Sequence, residues 1–127
     1  MTRVIWICLG GAVGTGARYA ISGLAARQLG PAFPYGTLAV NVLGSFLIGG
    51  LMHLGLATDL LTPTQRLTLT SGVMGGFTTY SSFSYETVRL WQDGAYGLGA
   101  LNVAVTTTVC RGACVLGLAA SRWLVGN

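Results

Sequence analysis

Lysine is absent, and the acidic residues are limited to Asp59, Glu86 and Asp93. Charged residues make up 8% of the 127 residues, where a soluble domain carries about 25%. That shortage excludes a surface built for water. The seven arginines give a net charge of +4 but are scattered, which excludes a nucleic-acid patch. There is one histidine, His53, and the three cysteines Cys8, Cys110 and Cys114 show no paired metal spacing. No serine has a His and a carboxylate placed to activate it, so no catalytic constellation exists and an enzyme is not expected.

What remains is apolar. Hydrophobic residues reach 52%, and the mean hydropathy is +0.65. Twenty glycines without a collagen period suit helices that pack closely in lipid. A membrane helix needs roughly 20 apolar residues. Segments of that kind run from about Val4 to Ala26, Gly36 to Ala57, Pro63 to Trp91 and Ala95 to Val125. Gly30, Pro31 and Pro34 separate the first two, Thr58, Asp59 and Pro63 the next, and Gln92, Asp93 and Gly94 the last. The sequence therefore predicts an all-α membrane protein with four transmembrane helices forming one unit over residues 1–127. The apolar start resembles a signal peptide, but no clear cleavage site precedes a soluble domain, and it reads as the first membrane helix.

Such a chain carries its termini on one side. Arg3, Arg66 and Arg122 fall near one membrane face, and Arg18, Arg27 and Arg89 near the other. With no bias in positive charge, the chain is expected to insert in both orientations, so that two opposed copies pair as an antiparallel homodimer. The alternative is that loop-specific signals fix one orientation.

The third segment carries the polar chemistry. Its centre reads Gly75-Gly76-Phe77-Thr78-Thr79-Tyr80-Ser81-Ser82-Phe83-Ser84. Irregular backbone at membrane depth survives only inside protein or along a wet cavity. A break near Gly75–Thr79 frees carbonyls that can coordinate Na⁺. The competing reading is a continuous helix whose Ser and Thr hydroxyls bond back to their own carbonyls. Tyr80 and Phe83 share a face, either as a packing pair or with ring edges lining an anion path. Asn41 offers two amide donors to an anion, or else bonds between helices. Asn102 and Thr106 share a face of the fourth segment. Gly10 and Gly14 form a small-residue packing face. Arg18 either snorkels to the interface or concentrates anions in a vestibule. Cys110 and Cys114, four apart, read as apolar packing.

Gly10-Gly11-x-x-Gly14 with Arg18-Tyr19, Gly36-Thr37-Leu38-x-Val40-Asn41-x-x-Gly44 and Gly75-Gly76-Phe77-Thr78-Thr79-Tyr80-Ser81-Ser82-Phe83-Ser84-x-Glu86 look like the Fluc (CrcB-like) fluoride channels. The resemblance covers essentially the whole chain. It implies passive fluoride export by a dual-topology homodimer in a microbial inner membrane, with two pores. It implies a central structural Na⁺ on the backbone carbonyls of Gly75 and Thr78 of both subunits. The path it implies runs past Asn41, Tyr80 and Phe83, with Thr106 as a hydroxyl on the fourth helix. Thr79, Ser81 and Ser84 are assigned to the same path, and Arg18 to its vestibule. The chain departs from that pattern at Tyr80, where a phenylalanine is usual, at Cys110, where a small hydroxyl is expected, and at Arg111. Thr15 replaces a usual alanine. The alternative function is a small dual-topology exporter of cationic drugs, which needs a membrane-embedded carboxylate. The first segment has none. A non-conducting membrane scaffold is the third reading.

Overall fold

The computed structural model describes residues 1–126 and is all-helical over them. Helix α1 spans Thr2–Leu29 and stops at Gly30, whose φ of 85° ends the helix and whose N–H still reaches the Ala26 carbonyl. After the Pro31–Pro34 turn, α2 spans Tyr35–Ala57. The next segment begins at a capping box. Gln65 N–H donates to Thr62 Oγ1 at 3.1 Å, Thr62 N–H donates to Gln65 Oε1 at 3.0 Å, and Pro63 occupies the first turn. The segment then runs as α3 (Pro63–Leu67), a π-helical stretch (Thr68–Met74), a single turn α4 (Gly75–Phe77) and, after an interruption, α5 (Tyr80–Gln92). Gly94, at φ 83°, turns the chain into α6, Tyr96–Val125.

Helices α1, α2 and α6 are long and apolar enough to cross a membrane. At 1.5 Å per residue even the 23-residue α2 reaches about 35 Å, against a hydrocarbon core of about 30 Å. The Pro63–Gln92 segment is divided into pieces, so no single helix in it is that long.

Burial is inverted relative to a soluble domain. Large apolar side chains such as Val4, Ile5, Leu9 and Val13 on α1 lie exposed. The buried set is rich in polar residues: Thr37, Asn41, His53, Thr70, Thr87, Asn102, Thr106 and Ser121. The apolar cluster is small, with Val40, Met74 and Phe77 at its centre. Lipid accounts for the first feature, and interhelical hydrogen bonding for the second.

Glycine sets how closely the helices approach. A Cβ at Gly14 would overlap the Val73 carbonyl, and one at Gly10 would lie 2.7 Å from the Thr68 carbonyl, so α1 rests directly on the π-helical backbone. This is the packing face expected of Gly10 and Gly14. Between α2 and α6, Gly49 meets the Cys114 carbonyl and Gly117 meets the Phe46 carbonyl. His53 Nε2 donates to the Gly126 carbonyl at 2.7 Å and ties the end of α2 to the end of α6.

Candidate functional site: a broken helix beside a polar groove

The interruption lies at Thr78 and Thr79, both extended, with φ/ψ of −87°/159° and −151°/112°. Helical bonding persists up to Thr78, whose N–H reaches the Met74 carbonyl at 3.0 Å. In a continuous helix the next N–H, that of Thr79, would go to Gly75. Here it donates to Asn41 Oδ1 at 2.8 Å, and Asn41 Nδ2 donates back to the Thr79 carbonyl at 3.0 Å. A side-chain amide from α2 thus takes the place of helix bonding at the break. Thr79 then caps α5, its Oγ1 accepting from Ser82 N–H at 3.2 Å and donating to Ser82 Oγ at 3.0 Å. That bond removes the partner the Thr78 carbonyl would have had. The carbonyls of Gly75 and Thr78 are therefore both released from helix bonding.

The Gly76 carbonyl is released as well, but α1 supplies its partner: Arg18 Nε donates to it at 3.0 Å. Arg18 braces the broken end from the α1 side. It does not line the groove described next, and Nε is its one hydrogen-bonded nitrogen among the described residues.

Hydroxyl back-bonding, offered by the sequence as the alternative to a break, occurs together with the break. Thr68, Thr70 and Thr78 donate to the carbonyls of Thr64, Arg66 and Met74.

A groove of about 480 Å³ opens along the break, between α2, the π-helical stretch, α5 and α6. It brings together Gly75, Thr78, Asn41, Thr79, Tyr80 and Phe83, with Thr106 from the α6 wall. Ser81 and Ser84 lie outside it. Ser81 is exposed, its Oγ 3.4 Å from Thr79 Oγ1. Tyr80 and Phe83 meet edge-to-face, with ring centroids 5.6 Å apart at 67°. Phe83 is 6% exposed and Tyr80 78%, so the pair presents one fixed ring and one open one. The departures Cys110 and Arg111 line the same groove as Tyr80. Arg111 donates through Nη1 to the Thr107 carbonyl at 2.9 Å. That bond satisfies part of the guanidinium without a carboxylate.

A buried chain of hydrogen bonds backs the groove. Thr106 Oγ1 donates to Asn102 Oδ1 at 3.2 Å, Asn102 Nδ2 to Thr87 Oγ1 at 2.9 Å, and Thr87 Oγ1 to the Phe83 carbonyl at 2.8 Å. Asn102 is 1% exposed. Every polar atom it offers must find a partner there. The chain fixes α5 on α6 and holds the Phe83 turn. Sequence reasoning placed Asn102 and Thr106 on one face but missed Thr87. Its hydroxyl, four residues beyond Phe83 on an otherwise apolar face, was the available signal.

A second cavity, of about 900 Å³, opens at the α1–α2 turn. Thr37 and Glu86 line it together with Arg27, Arg89 and Asp93. Glu86 Oε1 is buried there without a partner among the described residues.

Lipid-length helices enclosing a polar interior beside a broken segment define a membrane protein of the transport class, since interrupted backbone packed among such helices is a feature of ion and substrate sites. The family model described as "CrcB-like protein, Camphor Resistance (CrcB)" matches residues 5–118, and the chain belongs to that family. Relatives named fluoride-specific ion channel FluC align along their full length. The one from Sorangium cellulosum (strain So ce56) is 53% identical over 127 residues, covering 100% of both chains. The one from Anaeromyxobacter dehalogenans (strain 2CP-1 / ATCC BAA-258) is 48% identical, covering 99% of this chain and 100% of its own. That from Geobacter sulfurreducens (strain ATCC 51573 / DSM 12127 / PCA) is 47% identical, covering 98% and 100%. The family is one of channels and not of enzymes.

Proposed function

We propose that this chain is a fluoride-selective channel that exports fluoride passively across a microbial inner membrane and so limits its toxicity. The observation that carries the reading is the pairing of Asn41 with Thr79 at a helix break inside a polar groove. Full-length relatives named as fluoride-specific channels support it. In this reading the Pro63–Gln92 segment is the third of four membrane crossings, interrupted at its centre.

The chemistry suits a small, strongly hydrated anion. A pore must replace water with several donors yet release the ion again. Asn41 keeps one amide N–H after bonding Thr79, and the aromatic edges of Tyr80 and Phe83 are weakly positive. Thr79 and Thr106 line the groove with hydroxyls, and Ser81 and Ser84 extend the polar run beyond it. None of the residues that line the groove is a carboxylate, which disfavours a proton-coupled exporter of cations.

The active unit in this reading is an antiparallel, dual-topology homodimer with two pores. Opposed copies would bring two sets of Gly75 and Thr78 carbonyls together. These oxygens fit Na⁺, a hard cation that accepts neutral oxygen ligands without proton loss, and their release from helix bonding supplies the donor set. When bound there, Na⁺ would supply positive charge at the two broken helices. The chain's own part is to keep these carbonyls out of helix bonding, through Asn41 and the Thr79 cap.

Expression in a bacterium deprived of its own fluoride exporter tests the proposal. Growth in millimolar fluoride should be restored, without added tolerance to cationic dyes. Restored dye tolerance with no fluoride protection would overturn it.

A further inference from the structure

Sulfur is scarce in this chain, yet much of it converges on the groove. Cys110 and Cys114 of α6 and Met74 of the π-helical stretch all line it, whereas Cys8 stands alone and exposed on α1. The two thiols are free. Their four-residue spacing puts them one turn apart on one helix face, with Cβ atoms about 5–6 Å apart. Two metal–thiolate bonds in line, each near the ~2.3 Å of a zinc–thiolate bond, set the sulfurs about 4.6 Å apart, a separation two side chains one turn apart can reach by rotation about χ1. The Ser45 hydroxyl is part of the same groove wall.

We propose that Cys110 and Cys114 form a binding site for a soft monovalent cation of the Cu(I)/Ag(I) class, with Met74 as a weaker third ligand. Thiolate and thioether sulfurs select such ions over hard ones. Charge decides for the monovalent ion. Two thiolates on a +1 ion leave a net charge of −1, and a half-buried charge is favoured by a counterion. Arg111, adjacent to Cys110 and lining the same groove, supplies +1. Each thiol releases one proton to solvent on binding. The site rests on the channel reading in one respect, aqueous access to the groove. Because Asn41, Tyr80 and Thr106 share that groove, a bound metal obstructs the ion path.

The test uses silver nitrate as probe, with the full-length protein in chloride-free buffer. Thiolate-to-silver absorbance and native mass spectrometry report binding, and a fluoride electrode reports efflux from liposomes. The expected result is one Ag⁺ per chain and a reduction in fluoride efflux that excess dithiothreitol reverses. Cys110→Ala and Cys114→Ala should each weaken binding by at least the ~10–100-fold typical of disturbing a metal site's outer shell. Met74→Leu should weaken it less, and Cys8→Ala not at all. Silver binding that persists in both groove-cysteine variants, or that is lost with Cys8, overturns the site. Binding at Cys110 and Cys114 with undiminished efflux overturns its placement on the ion path. A protein that moves no fluoride before silver is added counts against the channel reading, and the binding arm still decides the metal site.

Discussion

Asn41 and Thr79 are joined by two hydrogen bonds, Nδ2 to carbonyl at 3.0 Å and N–H to Oδ1 at 2.8 Å, in the manner of paired strands. One side chain thereby satisfies both backbone polar groups of a residue that has left the helix. An unmade buried bond costs about 1–3 kcal/mol, so this pairing offsets much of the cost of the break.

Asn41→Asp keeps the acceptor and removes the donor. The Thr79 carbonyl then faces a carboxylate, and the groove gains a negative charge. At an effective dielectric near 20, like charges about 4 Å apart repel by roughly 4 kcal/mol. Fluoride efflux should fall by about a hundredfold or more while the protein still elutes from a sizing column in the position of the wild type. Unchanged efflux would remove Asn41 from the path.

Tyr80→Phe keeps the edge-to-face pair with Phe83 and deletes only the exposed hydroxyl. That hydroxyl can hold an anion through a charge-assisted bond of about 1.5–3 kcal/mol, and each 1.4 kcal/mol of deeper binding slows escape about tenfold. The Phe variant should be about tenfold faster, still excluding chloride. Equal or slower efflux would show that position 80 does not limit passage.

Thr79→Val removes the cap on α5 and frees the Ser82 N–H to return to the Thr78 carbonyl. Loss of such a cap costs about 0.5–2 kcal/mol. The proposed Na⁺ site then loses an oxygen. The proposed wild-type dimer should dissociate or lose flux when Na⁺ is exchanged for N-methylglucamine, and the variant should do so at higher residual Na⁺. Indifference of both proteins to Na⁺ would remove the cation from the account.

Gly117→Ala places a Cβ on the Phe46 carbonyl, whereas Gly112→Ala, on the same helix, meets open space. Overpacking typically costs about 1–3 kcal/mol. The first variant should lower the detergent unfolding temperature and the second leave it unchanged. Matching behaviour would contradict the close α2–α6 approach.

The helices were readable because Gly30 and Gly94 close apolar runs and Pro34 and Pro63 open the next ones, and the structure begins and ends its helices at those places. The break was readable only as a choice between two states, since Thr78 and Thr79 suit back-bonding and extended backbone alike. What decided it lies 38 residues away, in the amide of Asn41. Arg18 was read as an interfacial or vestibular charge because the sequence does not show that the Gly76 carbonyl would need a donor. The gathering of Cys110, Cys114 and Met74 was equally hidden, because the thiols lie on α6 and the thioether on the π-helical stretch of another segment.

The central claim is selective fluoride conduction, and efflux from liposomes loaded with potassium fluoride tests it most directly. The purified protein is reconstituted, valinomycin is added to carry potassium, and external fluoride is followed with a selective electrode. The account predicts rapid fluoride release and, from matched vesicles loaded with potassium chloride, no chloride release above empty liposomes. Retained fluoride, or chloride leaving as fast as fluoride, would contradict it.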